Sequence, residues 1–448
     1  MKVLTKVCAA FLTAVMAAGS ARGVAVDYTD APGNANWSNP SAWTQNSGYP
    51  GGNDPGDTAL VDQGTTTVDV NVPSMGMITV NSGGKTYAQI SLTNANTVTV
   101  NNGGQVEFKA NYPSAQKYYW NMILNDGALW YGNLHQDGGM YGTFAVSDGA
   151  TVTIRHSGAQ YNTGKLNGAI SGPATSTINF EAVSYVNDMA VSGTNTDLLC
   201  NLNIKCPLTW GANTPLGPNT GGTARVLANG VIRQVRPYQA GSASLARDLT
   251  FAGGSSWNST HPSYTITYSG AWTLQADTPF TVDTAGGNIG YVEVTGRITE
   301  DATPRKLNVG MTGTGAADGK LRLTNAANNF SGGLGVDAGN LYVTASGAQG
   351  AGPITLTNTQ RELVPGQQHR RGRHGTGRGR LDELHPDGER LDHQPGHQPR
   401  YVDGQGKPGV RAERLDAGHP ERRRGRLGIA RGRNQRRAGG HPQRHRPG

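Results

Sequence analysis

Four glycine turns constrain what this chain can fold into. They are Ser82-Gly83-Gly84, Asn102-Gly103-Gly104, Asn125-Asp126-Gly127 and Ser147-Asp148-Gly149, and Gly83, Gly103, Gly127 and Gly149 are spaced by 20, 24 and 22 residues. Between such turns apolar and polar residues alternate, as in Thr97-Val98-Thr99-Val100, Ala150-Thr151-Val152-Thr153-Ile154 and Tyr264-Thr265-Ile266-Thr267-Tyr268. A period of two means strands with one face buried, and the Gly, Asn and Asp that bound them supply the turn conformations. A recurrence at 20–50 residues marks a solenoid. A unit of this size holds about three short strands with their turns, too few to bury its own apolar face. It must therefore shelter that face against the next unit. The expected fold is all-β: a right-handed parallel β-helix. Antiparallel β-sandwiches, whose strands also recur every 8–12 residues, are the competing architecture, and the direction of neighbouring strands separates the two.

Composition agrees. Charged residues are 16% and hydrophobic residues 35% of the 448, unlike a helical bundle, and the 65 glycines follow no Gly-X-Y period, which excludes collagen. The net charge of +8 belongs to one segment. Residues 360–448 hold 21 Lys and Arg against 10 Asp and Glu, or +11, whereas residues 1–359 hold 18 against 21, or −3. Eight of the 11 histidines are also in the last segment.

The two ends read differently from the middle. Lys2 and Lys6 precede an apolar run from Val7 to Ala18 and then small residues through Ala21, the order of a secretory signal peptide over residues 1–25. The run is too short to span a membrane, which takes about 20 apolar residues, so no transmembrane span is expected in the mature chain. After Thr359 the alphabet turns to Arg, Gly, His, Pro, Gln and Asp, as in His369-Arg370-Arg371-Gly372-Arg373 and Glu421-Arg422-Arg423-Arg424. Few apolar residues and high charge predict a disordered tail over 360–448. Its abrupt onset inside repeat territory reads as translation out of frame from GC-rich DNA; a polyanion-binding arm is the other reading. For an exported chain, nucleic acid is not the expected partner. Cys200 and Cys206 would sit about 20 Å apart on a straight strand, so they pair only if the chain bends between them; two small buried side chains is the simpler expectation.

Candidate chemistry is sparse. Asp126, Asp137 and Asp148 recur in Asp-Gly turns 11 residues apart and could stack around calcium, as could Asp54 and Asp57; Asp-Gly as a plain turn pair is the simpler reading. No catalytic residue and no cofactor are assigned. A polysaccharide lyase or glycosidase would need convergent carboxylates or an acidic cluster with a base. The acids Glu107, Glu181, Asp188, Glu293 and Glu300 and the bases Arg155, Lys165, Arg233 and Arg236 show no spacing that singles out a set. His135, His156 and His261 stand apart in polar contexts and are expected to be exposed. The densest aromatic region holds Tyr118, Tyr119, Trp120, Trp130, Tyr131 and Tyr141. Exposed rings there would stack on sugars, and buried ones would stack through the core.

Two segments resemble a known family. Asn36-Trp37-Ser38-Asn39-Pro40-Ser41-Ala42-Trp43, followed by Gly48-Tyr49-Pro50-Gly51 and Thr58-Ala59-Leu60-Val61, is similar to the entry segment of large bacterial β-helical surface proteins. Its two tryptophans are placed to plug the open end of a solenoid. Leu321-Arg322-Leu323-Thr324-Asn325 leads to Asn329-Phe330-Ser331-Gly332-Gly333, then Ala338-Gly339 and Leu341, and resembles the autotransporter-associated β-strand repeat. That resemblance implies an exported passenger-type β-helix and brings no reaction with it. The ten-residue alternating strands of a membrane barrel are not legible, so the chain is not expected to translocate itself. The expected organisation is a leader over 1–25, an entry cap over 26–65, a solenoid body over 66–319, one repeat over 320–359 and the tail over 360–448. The expected function is a secreted or cell-surface structural or adhesive module without catalysis. Its partner would be an extracellular polysaccharide or another cell surface. The alternative is a carbohydrate-active or carbohydrate-binding β-helix.

Overall fold

A computed structural model describes residues 25–365 except 53, 110–115, 134–137, 157–163, 184–187, 211–215, 235–242, 260–264, 284–290, 313–319, 338–339 and 357–362. The expected leader, apart from its last residue, and the arginine-rich tail from residue 366 on lie outside the described residues, as do Asp137, His135, His261, Arg236, Ala338 and Gly339. Leu363–Pro365, inside the segment expected to be disordered, instead forms a strand on Asn340–Val343, which corrects the expected start of the tail at 360.

The described chain is a parallel β-solenoid. Every strand pairing is parallel, from Asp27–Thr29 on Thr58–Val61 to Asn340–Val343 on Leu363–Pro365, and the sole antiparallel contact among the described residues is the isolated bridge between Asp30 and Trp43. The β-sandwich alternative is thereby excluded. No α-helix occurs among the described residues; one 3-10 turn spans Pro40–Ala42.

A single coil shows the plan. Asn121–Leu124 lies in a seven-stranded sheet, Leu129–Asn133 in a twelve-stranded sheet and Gly139–Met140 in an eleven-stranded sheet; Phe144–Val146 then returns to the first sheet one rung on. The seven-stranded sheet runs from Asp27–Thr29 to Ile170–Ser171. Further along, a six-stranded sheet starting at Ala243–Leu245 supplies the third side. Because Gly64–Val68 is one strand, the expected entry cap and body share it, and the first coil is continuous with the stack.

The glycine turns work as their spacing suggests. Gly83, Gly103, Gly127 and Gly149 have φ of 89°, 74°, 72° and 69°, a region where a Cβ costs about 1–2 kcal/mol. Each lets the chain swing from the seven-stranded to the twelve-stranded sheet within four residues.

The core is the column inside the coils. Strands such as Thr97–Val100 and Gln105–Lys109 alternate half-buried and buried positions, sending Val98, Val100, Val106 and Phe108 inward. All seven tryptophans of the chain are buried to 1% exposure or less. Trp37 and Trp43 meet edge to face at 5.0 Å at the entry end, and their ring nitrogens donate to the carbonyls of Pro50 and Trp37 at 3.1 and 2.9 Å. Further along, Trp257 stacks on Phe280 at 3.8 Å with planes 9° apart, and Tyr268 touches Trp210, Trp257 and Trp272 edge-on. Burying each such ring stabilises by several kcal/mol relative to exposure, on the order of 25 cal/mol per Å².

Candidate functional site on the twelve-stranded sheet

Parallel registration turns the outward positions of this sheet into rows along the solenoid. One row reads Thr65, Lys85, Gln105, Leu129, Thr153, Asn179, Asn203, Arg225, Thr250, Thr273, Thr299. Its neighbour reads Thr67, Tyr87, Glu107, Tyr131, Arg155, Glu181 and then Lys205, one residue past its strand. Consecutive members of a row are one rung apart, about 4.8 Å.

The charged members interlock. Glu181 accepts from Arg155 Nη2 at 2.7 Å and from Lys205 Nζ at 3.1 Å, so one carboxylate sits between cations from the rungs on either side. Partial burial alone would raise this carboxyl, but the hydrogen bonds and charges of Arg155 and Lys205 outweigh it and hold the group below the usual carboxylate range. Lys85 pairs with Glu107 and also lies 5.7 Å above the Tyr87 ring. Tyr131 stands between Glu107 and Arg155; burial and then the Glu107 charge raise its phenol. Glu107 and Glu181 are three rungs apart, about 14 Å along the axis. That exceeds the separation of at most ~9.5 Å at which two carboxylates share a glycosidic bond.

The aromatic cluster read from the sequence divides by strand parity. Tyr118, Trp120 and Trp130 are at most 1% exposed and belong to the core, which corrects their assignment as glycan contacts. Tyr118 stacks on Phe108 at 4.5 Å and donates its hydroxyl to the Lys109 carbonyl; Trp130 meets Phe144 edge-on at 5.4 Å. Tyr119, Tyr131 and Tyr141 face outward. Tyr119 and Tyr141 stack on each other at 5.2 Å on the eleven-stranded side, with Lys117 Nζ 5.7 Å from the Tyr141 ring.

His156 is also corrected. It is 1% exposed and lies inside the twelve-stranded sheet, where burial pulls its imidazole down to about 4. Cys200 and Cys206 are buried free thiols; burial pushes Cys200 up to about 11 and raises Cys206 further. Sequence reasoning missed Arg247, 1% exposed, whose guanidinium donates to the carbonyls of Leu198, Pro218 and Cys200.

The acidic turns hold backbone. Asp126 accepts from the Thr151 N–H at 2.9 Å, and Asp148 accepts from the Thr175 hydroxyl, each tying a turn to the next coil. Asp57 accepts from the N–H groups of Val26 and Gly51, and Asp54 from that of Gly56. Among the described residues no three His, Cys, Asp or Glu side chains gather as metal ligands.

In the repeat-like segment, Phe330 is buried, Gly333 has φ 101°, and Ser331 donates its N–H and hydroxyl to Glu300. Asn329 is exposed and Gly332 half-buried. A Cβ on Gly332 would lie 2.4 Å from the Arg305 backbone. Neighbouring Asn328 joins three coils, accepting from Ile298 N–H and donating to the Ala348 carbonyl, both at 2.7 Å.

Lys85, Tyr87, Lys205 and Arg225 were not singled out by sequence reasoning. Their signal was present in part: each is an odd member of an alternating run, one coil from another polar member. Comparison with protein families, curated proteins and solved structures yields no match to this chain.

Proposed function

We propose that this chain is an exported structural or adhesive module of a bacterial cell surface, a β-helix that presents long ordered faces and carries out no reaction. The observation that supports this reading most directly is the registered pair of outward rows on the twelve-stranded sheet. Their carboxylates are occupied by neighbouring cations one rung away and stand too far from each other for paired acid and base chemistry. The signal-like residues 1–25 and the repeat-like residues 320–359 add the surface location. On this reading the stack is a spacer and a contact surface, and its partner is a polysaccharide or another cell.

The test combines two measurements on the full chain. Cell fractionation with surface protease digestion places the protein outside the cytoplasm if the reading holds. Incubation with a panel of polysaccharides leaves the number of reducing and unsaturated ends unchanged. New ends formed at a rate above that of a heat-unfolded sample would replace the module by a lyase or glycosidase.

A further inference from the structure

Two of the sheets that run through the coils between Thr58 and Ser171 differ in charge. The strands of the seven-stranded sheet over that span contain no Asp, Glu, Lys, Arg or His. The two outward rows of the twelve-stranded sheet, between Lys85 and Arg225, contain four cations, Lys85, Arg155, Lys205 and Arg225, against Glu107 and Glu181. That is a local excess of two positive charges on a body whose residues 1–359 sum to −3. The cations are reachable: the side chains of Lys85, Arg155 and Lys205 are 31, 38 and 40% exposed, and Arg225 is exposed. Tyr87 and Tyr131 stand in the same rows two rungs apart, about 10 Å.

We infer that this face docks a linear anionic polysaccharide of the polyuronate class, its sugar rings passing over Tyr87 and Tyr131 and its carboxylates meeting Lys85, Arg155, Lys205 and Arg225. The shape of the patch argues for a polymer. Seven strands give a strip about 30 Å long and about 10 Å wide, roughly 300 Å², well under the ~800 Å² per partner that a stable protein complex buries. A polysaccharide is long and narrow, offers one apolar ring face and one charge per repeat, and matches a strip that carries two rings at one end and an excess of cations over carboxylates along its length. Glu107 and Glu181 hold the neighbouring cations in place and leave the excess for the ligand. The inference rests on the surface-module reading for access to such a polymer.

Residues 360–448 carry a net +11 and will bind polyanions on their own account, so total binding is not the readout. Lysine acetylation footprinting of the full chain, read by mass spectrometry with polygalacturonate as probe, resolves the site. Lys85 and Lys205 are expected to be protected at least fivefold and Lys306, on the eleven-stranded sheet, not at all; neutral dextran should protect none of them. Tyr131→Ala and Arg155→Gln both change outward side chains, and each should raise the polygalacturonate concentration for half-protection about fivefold or more. Absence of protection at Lys85 and Lys205, equal protection by dextran, equal protection by a duplex oligonucleotide, or unchanged midpoints in both variants would each overturn the assignment. A cytoplasmic location would remove the surface reading while leaving the footprint to stand or fall by itself.

Discussion

Asn101 donates its side-chain amide to Asn81 Oδ1, one rung away, at 2.7 Å, and accepts in turn from Asn125 Nδ2 at 2.5 Å. Ser147 continues the chain by donating to Asn125. Four turns are thus tied by one file of side chains that runs along the axis, beside the main-chain ladder. Replacing Asn101 breaks two of these bonds and strands a donor on one neighbour and an acceptor on the other. Asn101→Ala is expected to cost about 1–3 kcal/mol, seen as a lower urea midpoint with unchanged slope. Asn203→Ala removes only the single 3.0 Å bond to Asn179 and should cost about half as much. Equal costs at the two sites would mean that the file adds nothing beyond isolated hydrogen bonds.

Gly127 and Gly149 share a left-handed backbone, φ 72° and 69°, but differ in what surrounds them. A Cβ on Gly127 would lie 2.3 Å from Asn102 Oδ1, whereas Gly149 opens onto space. Both alanine variants pay the backbone term of about 1–2 kcal/mol. Gly127→Ala must in addition displace the Asn102 side chain. Thermal unfolding should therefore rank Gly127→Ala below Gly149→Ala and both below the parent.

Much of this architecture was legible before any coordinates. The glycines recur because four consecutive coils turn the same corner through a left-handed residue, Gly83, Gly103, Gly127 and Gly149, and Thr-Val alternation fixes which side chains point inward. Parity failed where no polar residue set it. Tyr118-Tyr119-Trp120 is aromatic throughout, so nothing local says that Tyr119 is outside and its neighbours inside. His156 was legible and misjudged: Val152, Ile154 and His156 share a parity, which places the imidazole in the core. The cation rows were hidden for another reason. Arg155, Glu181 and Lys205 are 26 and 24 residues apart, and coils of unequal length mask a register that only strand pairing reveals.

Gly132 shows how closely a coil constrains the next choice of residue. It takes an inward position between Phe108 and His156 on neighbouring rungs, and a Cβ there would come within 2.4 Å of the Trp130 ring. Gly132→Ala forces that buried ring to move and should cost about 1–3 kcal/mol. Adding Trp130→Leu removes the clash, so the double variant should lose less than the sum of the single losses, by about 1 kcal/mol or more. Strict additivity in a double-mutant cycle would show that the ring is not what excludes a side chain at position 132.

His156 gives the fold a pH dependence whose sign follows from its burial. Unfolded, the imidazole takes up its proton near 6.5; inside the stack, burial delays this to about 4. Between those values the unfolded chain binds more protons than the folded one, so stability falls as the pH is lowered through this window. Above 6.5 the contribution is complete, and the loss approaches about 3 kcal/mol near pH 4. Glu181, held low by Arg155 and Lys205, adds its own loss only where carboxylates begin to protonate. Asp30, whose carboxyl is raised by burial, acts in the opposite sense by protonating earlier in the folded chain, so the histidine is read as the difference between parent and variant over about 4.5 to 6.5. His156 lies between Gly132 and Ala182 on its inward row, which leaves room for an apolar side chain in its place. His156→Leu should flatten urea-midpoint measurements across that interval, while the parent loses stability steadily toward the acid side. A His156→Leu variant whose stability changes with pH as much as the parent's between about 4.5 and 6.5 would show that the imidazole can be charged within the coil.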